Sequence, residues 1–160
     1  MTIPACVWLK NDDGAPIRGS ANVNGREGSI EIVGFNHNVS LPVDGRTGKI
    51  TGTRVHGSMN LEKEFDSSSP FLYKAVSKGQ TLTSAELKWY RINDAGQEVE
   101  YFNMFMEGVK VVSVSPAMIN SKDPSHVHLN HLESIALLYD KITWTYCDGN
   151  LIYDDSWEER

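Results

Sequence analysis

Three histidines, His126, His128 and His131, lie close together in the sequence. Neutral imidazoles two and three residues apart can converge on a zinc ion, so a metal-dependent hydrolase that uses residues 126–131 is one possible function. However, a loop signal, Asp-Pro-Ser at 123–125, precedes the cluster, and no second ligand motif accompanies it. The pattern favours loop histidines, and we predict no metal and no cofactor.

Two pairs of carboxylates, Glu62/Glu64 and Glu98/Glu100, have the i, i+2 spacing that places both side chains on one face of a strand. Glycosidases also use two carboxylates, but they oppose them across a cleft at roughly 5–9.5 Å, which neighbours on one strand do not achieve. We interpret both pairs as solvated strand faces.

Nucleophilic and phosphate-binding chemistry is weakly supported. The segment GRTGKIT at 45–51 resembles a phosphate-binding loop only superficially, because position 43 is valine and isoleucine follows Lys49. Cys6 and Cys147 lie at opposite ends of the chain without an obvious histidine partner. Both thiols are predicted to be reduced packing residues.

Composition narrows the possible functions further. The 160 residues include 15 basic and 21 acidic side chains, a formal charge of −6, and the basic residues are scattered singly, which argues against nucleic acid as the main partner. No apolar run approaches the roughly 20 residues of a membrane-spanning helix, and no signal peptide is recognisable. We expect a single domain over residues 1–160, and a monomeric binding module remains an alternative function.

Turn signals recur about every dozen residues between segments rich in Val, Ile, Thr, Tyr and Trp, a pattern typical of antiparallel β proteins. The predicted strands are 4–10, 16–24, 28–41, 50–64, 81–92, 98–115, 131–147 and 151–154. Several exceed the usual length of about 5 or 6 residues, which indicates bent strands that form a barrel of two sheets. Gly34, Gly57 and Gly108 are candidates for the bends.

One short α-helix is predicted at about 70–78. The segment DSSSP at 66–70 supplies a capping serine and a proline suited to the first helical turn, and Gly79 suits the end of the helix. The apolar side chains of this segment are expected on the side that packs on the barrel. They are Phe71, Leu72, Ala75 and Val76.

The predicted strand after Ile30 has two contrasting faces. One face is apolar, with Val33, Phe35, Val39 and Leu41. The other is small and uncharged, with Gly34, Asn36, Asn38 and Ser40. An ordinary solvent face of an acidic protein more often carries Lys and Glu, so the second face suits a pore wall, although a short exposed strand of arbitrary polar residues is the alternative.

Motifs along nearly the whole chain resemble the Hcp (haemolysin-coregulated protein) family of bacterial type VI secretion systems, and its enterobacterial members most closely. The resemblance rests on GSIEIV at 28–33, GK at 48–49, TGTR at 51–54, DSSSP at 66–70, LYKAV at 72–76, SAE at 84–86, KWY at 88–90, INDAGQEVEYFN at 92–103, KITWTY at 141–146, DGN at 148–150 and DSW at 155–157. Residues 55–61 and 118–129, which include the histidine cluster, depart from it.

The resemblance implies a β-barrel with one flanking helix, assembled head to tail into hexameric rings that stack into the inner tube of the secretion system. It implies no catalysis. The implied partners are further copies of the chain, the spike, baseplate and sheath of the system, and effector proteins carried in the lumen. The implied location is the bacterial cytoplasm before firing and the exterior or a target cell afterwards, without a signal peptide.

Two sets of site residues follow from the pattern and the resemblance together. Gly34, Asn36, Asn38 and Ser40 are predicted to face the pore. Residues 42–52 contain many turn-forming residues and only two aliphatic ones, Val43 and Ile50, so this segment cannot form a core of its own. Because the family has an extended loop here, we predict that Asp44, Arg46 and Lys49 take part in ring stacking through salt-sensitive contacts.

Overall fold

The computed structural model describes residues 3–126, 128 and 130–157. The strands in chain order are β1 (Ala5–Lys10), β2 (Pro16–Ile17), β3 (Ile30–Ile32), β4 (Gly34–Asn36), β5 (Val39–Ser40), β6 (Val55–His56), β7 (Met59–Glu64), β8 (Thr81–Ile92), β9 (Glu98–Ala117), β10 (Leu132–Leu138), β11 (Lys141–Tyr146) and β12 (Leu151–Ser156). Helix α1 (Ser69–Lys78) lies between β7 and β8, and a 3-10 helix spans Pro124–His126.

Five strands form a continuous antiparallel sheet in the order β1, β8, β9, β10, β7. Residues 30–36 close it, because β3 pairs with β1, with Ile32 opposite Ala5, whereas β4 pairs with β7, with Phe35 opposite Leu61. Between these pairings, the Val33 amide donates to the Glu62 carbonyl at 2.9 Å. The predicted antiparallel β-barrel is thereby confirmed, with β5 and β6 forming a separate two-stranded sheet.

The barrel interior is filled by the inward-facing residues of each strand. Alternation is clearest in β7, where Met59, Leu61 and Lys63 are buried and the residues between them are exposed. The largest fully buried apolar side chains are Leu9, Ile30, Met59, Leu61, Leu72, Leu82, Leu87, Met106, Ile135, Leu137 and Ile142.

Lys63 is the largest fully buried side chain among the described residues, and its charge is compensated locally. Its ammonium group pairs with the carboxylate of Glu133, which is also buried and lies directly opposite on β10. The same group lies 3.1 Å from an Asp66 carboxylate oxygen and donates to Ser69 Oγ and the Glu64 carbonyl. A buried charge is tolerated only with such partners, so this cluster fixes β7, β10 and the start of α1 relative to one another.

The predicted helix is confirmed, with Pro70 in its first turn and Gly79 ending it in the left-handed conformation (φ 64°). Ser68 occupies the N-cap without a side-chain capping bond, because its hydroxyl donates to Asp66 instead. Leu72 and Ala75 are buried, but the prediction for Phe71 is wrong: it is 53% exposed. At about 100° per residue, Phe71 lies on the flank of the narrow stripe that contacts the barrel.

Helix α1 is short, and the described residues include no helix with the length and apolar content that a membrane span requires.

Several predicted strands are shorter or divided. Of the predicted strand 16–24, only β2 is a strand in the structure. The predicted strand 50–64 is divided into β6 and β7, and the predicted strand 28–41 is divided into β3, β4 and β5. The predicted strand 131–147 is two strands, β10 and β11, separated by residues 139–140. Gly108 lies at the corresponding corner of β9, where the neighbouring strand changes from β11 to β10. It has a φ of 64°, and a Cβ here would overlap the Asp140 carboxylate.

We predict that Lys63→Met lowers the free energy of unfolding by about 3–5 kcal/mol, because it leaves the Glu133 carboxylate buried without its cation. The double variant Lys63→Met/Glu133→Leu should recover most of that loss, because both charges are then removed. Urea denaturation at one protein concentration measures both. A double variant as unstable as the single one would contradict this account of the pair.

Candidate interaction surfaces

The outer face of strands β9, β10, β7 and β4 forms a surface of small, mostly uncharged residues, here called the polar wall. The pairing registers align its residues in two rows, Ser115–Ser134–Glu62–Gly34 and Ser113–Ala136–Asn60–Asn36. Residues directly opposite one another share a face, so each row runs across four strands. Glu62 is the single ionisable group among these eight residues.

Gly34 leaves room for the Glu62 side chain within the polar wall. A Cβ at this position would lie 2.6 Å from Glu62 Oε2 and 3.1 Å from Glu62 Cβ. The glycine therefore lets the Glu62 side chain lie flat against the neighbouring strand, which keeps the wall smooth at its charged position.

Two of the four predicted pore residues, Gly34 and Asn36, lie on the polar wall. Asn38 and Ser40 lie outside it: the Asn38 carbonyl accepts a hydrogen bond from Gly57, and Ser40 belongs to β5, which pairs with β6. The sequence reasoning missed the wall residues of the other three strands. The alternation of apolar and polar residues in β7 could have placed Asn60 on the outer face. The positions of the serines on that face depend on strand pairings that no local sequence pattern reveals.

The predicted apolar face of this segment is wrong in most of its members. Phe35 packs against the core, whereas Val33, Val39 and Leu41 are exposed. The alternation fails because the chain changes partner at Val33 and again after Asn36, and each interruption resets which side chains face inward.

Residues 39–56 form a projecting hairpin. Val39 lies opposite His56 and Ser40 opposite Val55, and a bridge between Val43 and Ile50 continues the pairing towards the tip. Further backbone bonds join Asp44 to Lys49 (2.7 Å) and Thr51 to Pro42 (2.9 Å). The segment predicted as a loop is thus an ordered hairpin.

The hairpin tip carries the predicted charges. The Arg46 amide donates to Asp44 Oδ1 at 2.8 Å, and the Lys49 amide donates to Thr47 Oγ1 at 3.4 Å. Gly48 has a φ of 71°, which closes the turn. The side chains of Arg46 and Lys49 are exposed, whereas Asp44 is partly buried, so both cations are available to a partner.

A buried polar network holds the base of the hairpin on the barrel. His56 is buried between Tyr139, whose hydroxyl lies 2.6 Å from Nδ1, and Asp155, whose carboxylate lies 2.6 Å from Nε2. Arg54 donates to both carboxylate oxygens of Asp155 at 2.9 Å and to the Ser156 carbonyl. The hairpin is therefore attached to β12 and to the corner between β10 and β11.

One proton arrangement satisfies this network. Asp155 accepts from His56 Nε2, Tyr139 donates to His56 Nδ1, and the Tyr139 oxygen accepts from His37 Nε2 at 2.9 Å. The bidentate bond from Arg54 lowers the pKa of Asp155, so this carboxylate stays ionised. Burial, and the charge that His56 would carry when protonated, lower the pKa of His37, and burial raises the pKa of Tyr139.

The residues that first suggested chemistry are not brought together as a catalytic centre. Val127, Leu129 and the side chain of His126 lie outside the described residues, and His131 contacts Phe65 at 5.8 Å between ring centres. Over residues 3–126, 128 and 130–157, no three His, Cys, Asp or Glu side chains form a metal-binding group. The role of the histidine cluster stays a prediction.

The other residues with possible chemistry, the glutamates of the predicted pairs and Cys147, form ordinary structural contacts. Glu64 accepts from the Asn130 amide at 2.9 Å, and Glu100 lies 3.7 Å from Lys88. Cys147 donates to Glu100 Oε1, and burial raises the pKa of this thiol, which makes it a poor nucleophile.

Comparison with known proteins identifies relatives over most of the chain. Residues 8–146 match the family described as type VI secretion system effector, Hcp. The chain is 37% identical over 139 residues to the major exported protein of Pseudomonas aeruginosa PAO1, a match that covers 87% of this chain and 81% of that protein.

Solved structures share the fold. The structure of Hcp1 from the E. coli EAEC 042 pathovar is 57% identical, with a TM-score of 0.88 over 97% of this chain and 99% of that one. The secreted protein Hcp3 from Pseudomonas aeruginosa is 29% identical, with a TM-score of 0.78 over 96% and 97% of the two chains.

The lowered pKa of His37 predicts a pH dependence of stability. Its ordinary pKa is 6.5, so as pH falls below that value the unfolded chain takes up the proton before the folded chain does, and stability decreases. Above this range both states are neutral and His37 contributes no slope.

We expect His37→Gln, which keeps a donor for Tyr139, to flatten the decrease in the urea midpoint between pH 7.5 and 5. An unchanged pH dependence in this variant would rule out His37 as a source of it.

Proposed function

Because the chain belongs to the Hcp family of type VI secretion proteins and is a component of the secretion tube, we propose that its polar wall lines the tube lumen. The observation that carries this proposal is the composition of the wall: its eight residues on four strands are small or polar, and Glu62 is the one carboxylate among them. Such a surface offers cargo no large apolar patch and few charges, so bound proteins can still move.

Free strand edges support a continuous lumen wall. Hexameric rings are known for this family. Among the described residues, β4 ends its sheet, and residues 111–117 of β9 are paired on one edge only, by β10. An unpaired edge is a template for another strand, and a ring places different edges of neighbouring copies side by side. We infer that copies meet at these edges of the polar wall.

We propose that the hairpin at residues 39–56 mediates ring stacking. The network around His56 fixes the base of the hairpin. Towards the tip, Val43 and Ile50 are about 60% exposed, and Arg46 and Lys49 are also exposed to solvent. An isolated two-stranded hairpin is only marginally stable in water, so contact with a neighbouring ring gives it a stable environment.

The remaining partners are inferred from family membership. The family is a structural, exported family, and the chain is a secreted protein. We infer that it has no catalytic activity of its own, waits in the bacterial cytoplasm before firing, and contacts the spike, baseplate and sheath and effector cargo. Folding as a single domain is consistent with the common core of its strands and α1.

Cysteine labelling tests the lumen assignment. In a Cys147→Ser background, Asn36→Cys and Ser113→Cys should react with a small maleimide but not with a maleimide polymer too large for the lumen, because both lie on the polar wall. Phe71→Cys on the outer helix is the control and should react with both reagents. Equal reaction of Asn36→Cys with the large reagent, in protein shown to be annular by electron microscopy, would reject the lumen assignment.

Charge reversal tests the hairpin. Arg46→Glu/Lys49→Glu should leave single hexamers intact by light scattering while tube formation and secretion fall, because the tip loses its cations. Lys10→Glu/Lys74→Glu makes the same change of charge at exposed positions elsewhere and should stack normally. If the hairpin variant stacks and secretes like the parent, or if its rings dissociate, the hairpin has a different role.

A further inference from the structure

The hairpin has one apolar face without a partner in its own chain. Val43 and Ile50 lie opposite each other across the bridge, and Leu41 is two residues from Val43, so all three project to the same side. Each is at least half exposed. Three aliphatic side chains on one side of a narrow hairpin require a surface to cover them.

A second uncovered apolar surface lies on β11 and β12. We call it the wing: β11, β12 and residues 98–107 of β9. Its core-side face carries the rows Phe102–Tyr146–Leu151 and Met104–Trp144–Tyr153. Near the core this face is covered, since the Trp144 ring stacks on His56, but Leu151 and Tyr153 are 66% exposed.

The wing also ends in a free edge. Within the described part of the chain, β12 pairs with β11 alone, and its apolar residues lie in its first half, Leu151 to Tyr153. The hairpin of the same chain does not cover them, because Val43, Ile50, Leu151 and Tyr153 all remain largely exposed. The occupant therefore has to come from another molecule.

The charges of the wing and of the hairpin indicate which molecule could cover the apolar face of the wing. The wing, residues 98–107 and 141–156, carries six acidic residues and one lysine, whereas residues 41–52 of the hairpin carry Arg46 and Lys49 against Asp44 alone. Most of the wing acids already have partners, such as Asp154 with Lys141 and Asp155 with Arg54. Asp148, in the exposed turn that ends the wing, forms no ion pair with any described residue.

We propose that the aromatic face of the wing is the docking surface for the hairpin of a copy in the neighbouring ring. Val43 and Ile50 of that copy pack against Leu151 and Tyr153, and its tip cations lie near Asp148. The inference rests on the proposed stacking role of the hairpin and adds the identity of its receptor. A row of three strands about 4.8 Å apart is wide enough to receive both strands of the hairpin.

Disulfide trapping between separately prepared rings tests the contact. In a Cys147→Ser background, rings of Val43→Cys are mixed with rings of Leu151→Cys under mild oxidation, so that a covalent dimer forms only between rings. Oxidation joins the two Sγ atoms and releases two protons and two electrons to the added oxidant. We expect dimers from this mixture. Rings of Val43→Cys mixed with rings of Phe71→Cys, a residue that is also more than half exposed but lies on α1, should give none.

Charge exchange provides an independent measurement. Arg46→Glu/Lys49→Glu in the Val43→Cys rings should slow dimer formation about fivefold, the effect of roughly 1 kcal/mol for exposed ion pairs. Asp148→Lys in the Leu151→Cys rings should restore the rate, because the charges are again opposite. Failure of Asp148→Lys to restore it would exclude Asp148 from the contact.

The outcomes separate this inference from the proposed function. If the parent forms stacked rings by electron microscopy but the Val43–Leu151 dimer is absent, the wing is not the receptor and the stacking role stands. If the dimer forms only when both cysteines are built into one ring, the contact lies within rings and the inference is wrong. If the parent forms no rings, the proposed function fails together with the inference.

Discussion

The arrangement of the whole molecule depends on one change of pairing partner, at Val33. Before it, the chain is bonded to β1, and after it, to β7, with the Val33 amide donating to Glu62 at the crossing. This change closes the barrel and brings Gly34 and Asn36 beside Asn60 and Glu62. It also directs the chain towards the hairpin. Barrel closure, the polar wall and the projecting segment are therefore consequences of the same local geometry.

Much of the fold was predictable because its signals are local. Pro70 and Gly79 bound the helix correctly, and turn signals between segments rich in β-favouring residues located β8 and the long β9. What failed depended on distant contacts. The side chains of Val33 and Leu41 look inward-facing in a continuous strand, but two changes of partner expose them. Likewise, the serines of the polar wall meet Asn36 only through pairings spanning about 80 residues of sequence, which short-range patterns do not encode.

The network around His56 connects the base of the hairpin to the wing. His56 forms hydrogen bonds with Tyr139, which lies between β10 and β11, and with Asp155 on β12. Its ring also stacks on Trp144 of β11. The base of the hairpin and the core-side face of the wing thus share one rigid support. A buried network in which each member has a partner favours a single arrangement, so a projecting element can be held at a fixed angle without a core of its own.

The alternation within β7 separates two kinds of evolutionary change. Met59, Leu61 and Lys63 face the core, whereas Asn60 and Glu62 face the polar wall, so wall residues can be replaced without disturbing barrel packing. In a hexameric ring every such replacement occurs in six copies. If the polar wall lines the lumen as proposed, a preference of about 0.3 kcal/mol per copy for one kind of passenger protein would sum to about 1.8 kcal/mol per ring, roughly a twentyfold change in occupancy. On that proposal, symmetry would make this surface highly sensitive to single mutations, and small steps would suffice to adapt it to new passengers.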